Sequence, residues 1–241
     1  MEQRENIKVL YAVESGSRAW GFESPDSDFD VRFIYVRPRE FYLRLDKTRD
    51  VIEWQLDETL DINGWDLQKA LRLIHSSNPT IFEWNNSPIV YKTTVEWDYI
   101  RAEMPRYFSI KSGLHHYYNT ALNTYKTYFK RETIKLKKYF YVLRPLLACK
   151  WILREKTVPP VLFSKLLDTE SDQKIQSDVN NLVSLKMQTP ELGENGRIAQ
   201  LDEYIELSLS SVKIGIDSLP SERKADWEGL NKLFITINAQ I

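Results

Sequence analysis

A chain of 241 residues, 42% hydrophobic and 28% charged, has the make-up of an ordinary globular protein, enough for one large core or two small ones. A single cysteine, Cys149, excludes an intrachain disulfide. The start of the chain lacks an apolar core behind a basic stretch, and no apolar run approaches the roughly 20 residues that cross a bilayer. Neither signal peptide nor membrane span is expected, and the protein is predicted to be soluble and cytoplasmic.

In chain order, residues 7–13 (IKVLYAV) are β-branched and apolar and predict a short buried strand ended by Glu14-Ser15-Gly16. Residues 17–22 suit a short helix or turn, and 23–27 (ESPDS) a loop. Residues 28–36 (DFDVRFIYV) alternate as a strand does, and Pro38 ends it. Residues 39–46 read as helical or irregular. Two further strands, 49–54 and 59–62, are expected to flank a turn near Gln55 to Glu58. From Trp65 the period becomes helical, with Asn63 or Gly64 as a possible cap. Asn78-Pro79 opens another short helix through Trp84, which Ser87-Pro88 breaks.

Beyond about residue 95 the pattern is helical only. His115, Tyr118, Leu122, Tyr125 and Phe129 make one stripe. Leu136, Phe140, Leu143 and Leu147 make another, with Pro145 expected to kink that helix. Breaks at 157–160 and 192–196 precede a helical stretch over 197–218. The organisation predicted is a domain over 1–95 and a helical domain over 96–241.

The chemistry is concentrated between residues 16 and 30. Asp28 and Asp30 are two apart, so on a strand both carboxylates project from one face. Two such charges repel unless a cation lies between them, and oxygen ligands suit Mg²⁺ or Mn²⁺. Gly16 permits close backbone approach, and Ser17 adds a hydroxyl at a helix start, a place for phosphate. Two plainer readings compete: a solvated acidic turn, or the start of a calcium loop. The latter needs Gly and Glu where Val31 and Arg37 stand. Cys149 lies in an apolar stretch and reads as a packed small hydrophobe. His115 and His116 are adjacent and point apart, which disfavours a shared zinc.

The run GSRAWGFESPDSDFDVRFIY resembles the signature of the DNA polymerase β-like nucleotidyltransferase superfamily. It is closer still to a bacterial branch associated with RNA repair, which it also resembles at LDINGWDLQKAL, NPTIFEW, SPIVY and KKYFYVLRPLLACKWI. The resemblance spans about residues 8–160. It implies an α+β fold, a nucleotidyltransferase-like mixed sheet flanked by helices and followed by a C-terminal helical bundle. It implies that Asp28 and Asp30 hold Mg²⁺ or Mn²⁺, with a third carboxylate at Asp61 as metal ligand or base; Asp57, Glu58 and Asp66 are rivals. Asp66 stands near a helix start, where a structural role is favoured. Gly16 and Ser17 would hold the β- and γ-phosphates of a nucleoside triphosphate, with Arg18 assisting.

Residues 126–156 hold ten Lys or Arg and two Glu, a local balance of 10 − 2 = +8 in a chain whose formal net charge is −1. Such a stretch suits phosphate, or a solvated helix face. Lys137, Tyr141 and Arg144 share one helix face by spacing. Lys138 and Arg144 are candidates to grip the triphosphate; salt bridging within the bundle is the alternative. The expected activity is transfer of a nucleoside monophosphate to an acceptor hydroxyl of RNA, protein or a small molecule. The alternative is a non-catalytic nucleotide-binding or antitoxin-like module with the same fold.

Overall fold

A computed structural model describes residues 1–57, 59–188, 194–220 and 225–240. The elements begin with α1 (Glu2–Glu5), β1 (Lys8–Glu14), α2 (Gly16–Trp20), β2 (Phe29–Val36), α3 (Arg39–Tyr42), β3 (Val51–Asp57) and β4 (Leu60–Asp66). There follow α4 (Leu67–His75), α5 (Pro79–Asn85), β5 (Val90–Thr93), α6 (Val95–Glu103), α7 (Ile110–Tyr128), β6 (Thr133–Lys135) and α8 (Lys137–Glu155). The remainder is α9 (Phe163–Leu167), α10 (Gln173–Gln188), β7 (Glu194–Gly196), α11 (Ala199–Asp217) and α12 (Glu228–Asn238). No helix among the described residues is long and apolar enough to cross a membrane.

The chain divides into two compact units. The first takes Met1–Ala19, Asp28–Phe108 and the segment carrying α12; the second takes Trp20–Ser27 and the segment from Ser109 through α11. The expected boundary at 95/96 therefore falls inside the first unit. The reason is packing. Trp97 of α6 stacks on Tyr11 of β1 with ring centroids 4.8 Å apart. Near the end of the chain, Phe234 meets Tyr42 edge-on, Trp227 stacks on His75, and Asn238 donates to the Arg37 carbonyl.

The first unit is built on a five-stranded sheet of order β3-β4-β2-β1-β5. Only β2 and β4 run parallel; the other neighbours are antiparallel. The mixed sheet flanked by helices is the expected one. β1 is an interior strand and largely buried, as its continuous apolar run requires. Ile7, Val9, Phe33, Tyr35 and Ile52 form a core cluster. Gly64 lies opposite Phe33, whose ring fills the space a side chain would need: a Cβ at 64 would come within 2.1 Å of it.

Three expectations change here. β4 runs on through Trp65 to Asp66, and the cap of α4 is Asp66 rather than Asn63 or Gly64: its carboxylate accepts the Gln68 N–H at 2.8 Å. β5 was not expected, because Val90–Thr93 is short and mostly exposed. The turn between β3 and β4 includes Glu58, which lies outside the described residues.

In the second unit α7, α8 and α11 form the helical core. α8 is buried around most of its girth between Val142 and Cys149, and it continues through Pro145 without ending. Cys149 is buried, its thiol pushed up by desolvation, as a packed apolar residue would be. On α7 the buried residues include Leu114, Tyr117 and Ala121, one step from the expected stripe; His115 is exposed. The unit is not purely helical: β6 and β7 form a two-stranded antiparallel ladder.

Candidate active site

β1 ends at Glu14, and the chain turns at Gly16, whose φ of +61° is a left-handed value that favours glycine. The turn lies directly against Asp30. The Ser15 N–H donates to the Asp30 carbonyl at 2.9 Å, and a Cβ at position 16 would come within 2.0 Å of Asp30 Oδ2. The glycine-serine bend and the DxD strand are thus one structure. From α2, Arg18 reaches back to the loop: its Nε donates to the Asp28 carbonyl at 3.1 Å and its guanidinium lies 3.8 Å over the Phe29 ring.

Asp28 is exposed and stands just before β2; Asp30 is half-buried on the strand. The parallel register sets Asp30 beside Asp61 of β4. Asp66, at the far end of β4, caps α4 and accepts the Tyr42 hydroxyl at 2.9 Å. That is the structural role its position suggested. Asp57 closes β3, opposite Leu60, and Glu58 lies outside the described residues.

Three groups that the sequence reading passed over complete the site. Arg32 lies two residues beyond Asp30 and bridges the carboxylates, donating to Asp30 Oδ1 and Asp61 Oδ2 at 2.8 Å each and to the Asp61 carbonyl at 3.0 Å. The period of two was the signal that could have found it. Glu14 is 1% exposed, and its Oε1 accepts the Asp30 N–H at 2.7 Å. Its Oε2 accepts the Tyr91 hydroxyl from β5. Burial and the Glu14 carboxylate push the Tyr91 phenol up to about 12, so it stays a donor.

The electrostatics follow. Burial raises the Asp30 carboxyl; Arg32 pulls it down, but Asp61 and Asp28 push it up, and the net shift is upward. Glu14, Asp28, Asp30 and Asp61 face the guanidinium groups of Arg32 and Arg18, which leaves 4 − 2 = 2 negative charges, a balance that suits a divalent cation with hard oxygen ligands. With Oδ1 taken by Arg32, Asp30 Oδ2 is the oxygen turned to the Gly16 bend. Among the described residues no three His, Cys, Asp or Glu side chains already converge as a ligand cluster.

The two basic candidates belong to the second unit. Arg144 is 6% exposed, with its guanidinium 4.5 Å over the Trp20 ring. The face expected for Lys137, Tyr141 and Arg144 therefore divides: Tyr141 is exposed, while Arg144 turns inward because α8 is enclosed at that level. Lys138 holds its ammonium 4.0 Å over the Tyr128 ring.

The model of the RlaP family, described as the RNA repair pathway DNA polymerase β family, matches residues 1–236. The chain is 41% identical to the uncharacterized protein YcgL of Bacillus subtilis over 239 residues, covering 98% of this chain and 91% of that one. A crystal structure of a nucleotidyltransferase-like protein from Exiguobacterium sibiricum aligns over 100% of this chain and 78% of its own. Its identity is 13% and its TM-score 0.34, a likeness too loose to bear on the site.

Proposed function

Since this chain belongs to the RlaP family, the RNA repair pathway DNA polymerase β family, we propose that it transfers a nucleoside monophosphate from a nucleoside triphosphate to an acceptor hydroxyl. The observation that carries the reading is the packing of the Asp30 carboxylate, paired with Asp61, against the Gly16 bend. Asp28 and Asp30 would hold Mg²⁺ or Mn²⁺, with Asp61 as the third carboxylate; when bound, such ions offset phosphate charge and acidify the attacking hydroxyl. The Gly16 backbone and Ser17 hydroxyl bind the β- and γ-phosphates. Arg18 braces the Asp28 loop. Glu14 fixes the Asp30 backbone, and Tyr91 fixes Glu14.

In the reaction the acceptor oxygen bonds to the α-phosphorus, the bond from that phosphorus to the bridging oxygen breaks, and pyrophosphate leaves. Asp61 accepts the hydroxyl proton. Positioning and charge neutralisation suffice, with no covalent enzyme intermediate. The acceptor we favour is an RNA hydroxyl; protein and small-molecule hydroxyls are tested beside it.

One observation favours a second reading. Arg32 satisfies one oxygen on each of Asp30 and Asp61, as a built-in cation in a non-catalytic nucleotide-binding or antitoxin-like module would. Incubation with α-labelled triphosphates, Mg²⁺ or Mn²⁺ and each acceptor separates the two. Transfer is expected to yield one pyrophosphate per label and to vanish in Asp28→Ala/Asp30→Ala protein. Triphosphate binding without transfer to any acceptor supports the second reading, and transfer that survives the double substitution overturns the first.

A further inference from the structure

The second unit holds a cavity of about 300 Å³ whose walls include Arg131, Lys135, Lys137 and Lys138 together with Tyr128 and Thr133. Among the described residues no Asp or Glu lines it. None of the four cations has a carboxylate partner among the described residues; Lys138 instead lies 4.0 Å over Tyr128 and 5.2 Å over Tyr141. Four like charges around one small space repel each other, although the chain as a whole is at −1. The fold brings them together from three consecutive pieces: the turn after α7, strand β6 and the first turn of α8. That first turn carries two lysines, no acidic residue and no side-chain cap, an arrangement the helix dipole opposes unless an anion is present.

The ligand chemistry follows from charge, size and aromatic content. Fixed cations with a tyrosine wall suit phosphate oxygens joined to a flat ring or a sugar. The volume is at the lower limit of ligand pockets, which suits one phosphodiester with its sugar better than a whole nucleoside triphosphate. Tyr141, 41% exposed beside Lys138, offers a ring face to the next base. We propose that this cavity grips the backbone of a single-stranded nucleic acid, with Arg131, Lys135, Lys137 and Lys138 neutralising consecutive phosphates. The inference names the class of acceptor for the transfer proposed above and in that sense rests on it, but the binding is measurable without any transfer.

The test is fluorescence anisotropy of the full chain with a labelled single-stranded RNA and the same sequence as DNA, across a salt series. Phosphate contacts carry no information about the sugar, so both are expected to bind. Each neutralised phosphate contributes a slope of about −0.7 in log affinity against log salt. Lys137→Gln/Lys138→Gln is expected to reduce the slope by about 1.4 and to weaken binding on the order of tenfold at low salt. Lys165→Gln, an exposed lysine of the same unit, should leave the slope unchanged. Asp28→Asn should abolish transfer while leaving strand binding intact, so loss of the chemistry and loss of this site are distinguished. Absence of strand binding overturns the proposal, as does strand binding with the same slope in the folded double variant. Binding of free triphosphate or inorganic phosphate alone, lost in that variant, also overturns it in favour of a small-anion site.

Discussion

A buried carboxylate of the second unit and a half-buried one of the first meet opposite treatment. In the second unit Glu170 is 8% exposed and fully answered: Lys150 donates to it at 2.6 Å, Tyr204 at 2.5 Å, and the Ser171 and Asp172 N–H groups reach its other oxygen. Burial works to raise its carboxyl, but these donors outweigh it and hold the group down at about 2. In the first unit Asp30 has Arg32, yet burial and the nearby Asp61 and Asp28 leave it raised. A carboxylate whose surroundings settle its charge is part of the framework. One left under-compensated beside a glycine bend has the character of a site.

Substitutions can break that contrast, and the largest effect belongs to the site. Asp30→Ala should lower label transfer roughly a thousandfold while the thermal melt stays cooperative. A fall of less than tenfold would place the chemistry elsewhere. Next, Lys150→Met should destabilise the chain by about 2 kcal/mol in urea unfolding, less than a fully buried pair because Lys150 is partly solvated. The same pair fixes a pH dependence. Glu170 lies at about 2 when folded against a reference of 4.5, so its contribution is complete above about 4.5 and is lost as pH falls toward 2. Glu170→Gln should flatten the stability profile in that window, and an unchanged acid limb would contradict the assignment.

Smaller effects sharpen the comparison at Arg32 and Tyr91. Arg32→Gln removes the cation that bridges Asp30 and Asp61, so calorimetry should find Mn²⁺ bound on the order of tenfold more tightly. Weaker binding would show that Arg32 organises the acids rather than competing with a metal. Tyr91→Phe leaves one Glu14 oxygen without its donor and should cost about 1 kcal/mol in unfolding. An unchanged midpoint would show that solvent replaces the phenol.

What could be read from the sequence was local. The strand of β1, the turn that follows Glu14 and the strand that carries Asp30 follow from patterns over a few residues. The place of Asp61 came from resemblance alone, since the register of β2 against β4 joins residues some thirty positions apart. The four- and three-residue spacing from Lys137 to Arg144 fits one helix face, but the apolar residues around Arg144 enclose α8 at that level, which spacing alone does not show. On α7 the series 114, 117, 121 and 115, 118, 122 each hold one Leu and one Tyr, and only tertiary packing chooses between them. The return of α12 to the first unit and the pairing of β6 with β7 depend on contacts across long stretches of chain, which no local pattern announces.

The most direct measurement is anomalous diffraction from crystals soaked with Mn²⁺ and a nonhydrolysable nucleoside triphosphate. The account predicts manganese about 2.1 Å from a carboxylate oxygen of Asp30, with a further ligand from Asp28 and the triphosphate tail at Gly16 and Ser17. Nucleotide bound elsewhere, or bound at the bend with no metal and Arg32 still bridging Asp30 and Asp61, would contradict it.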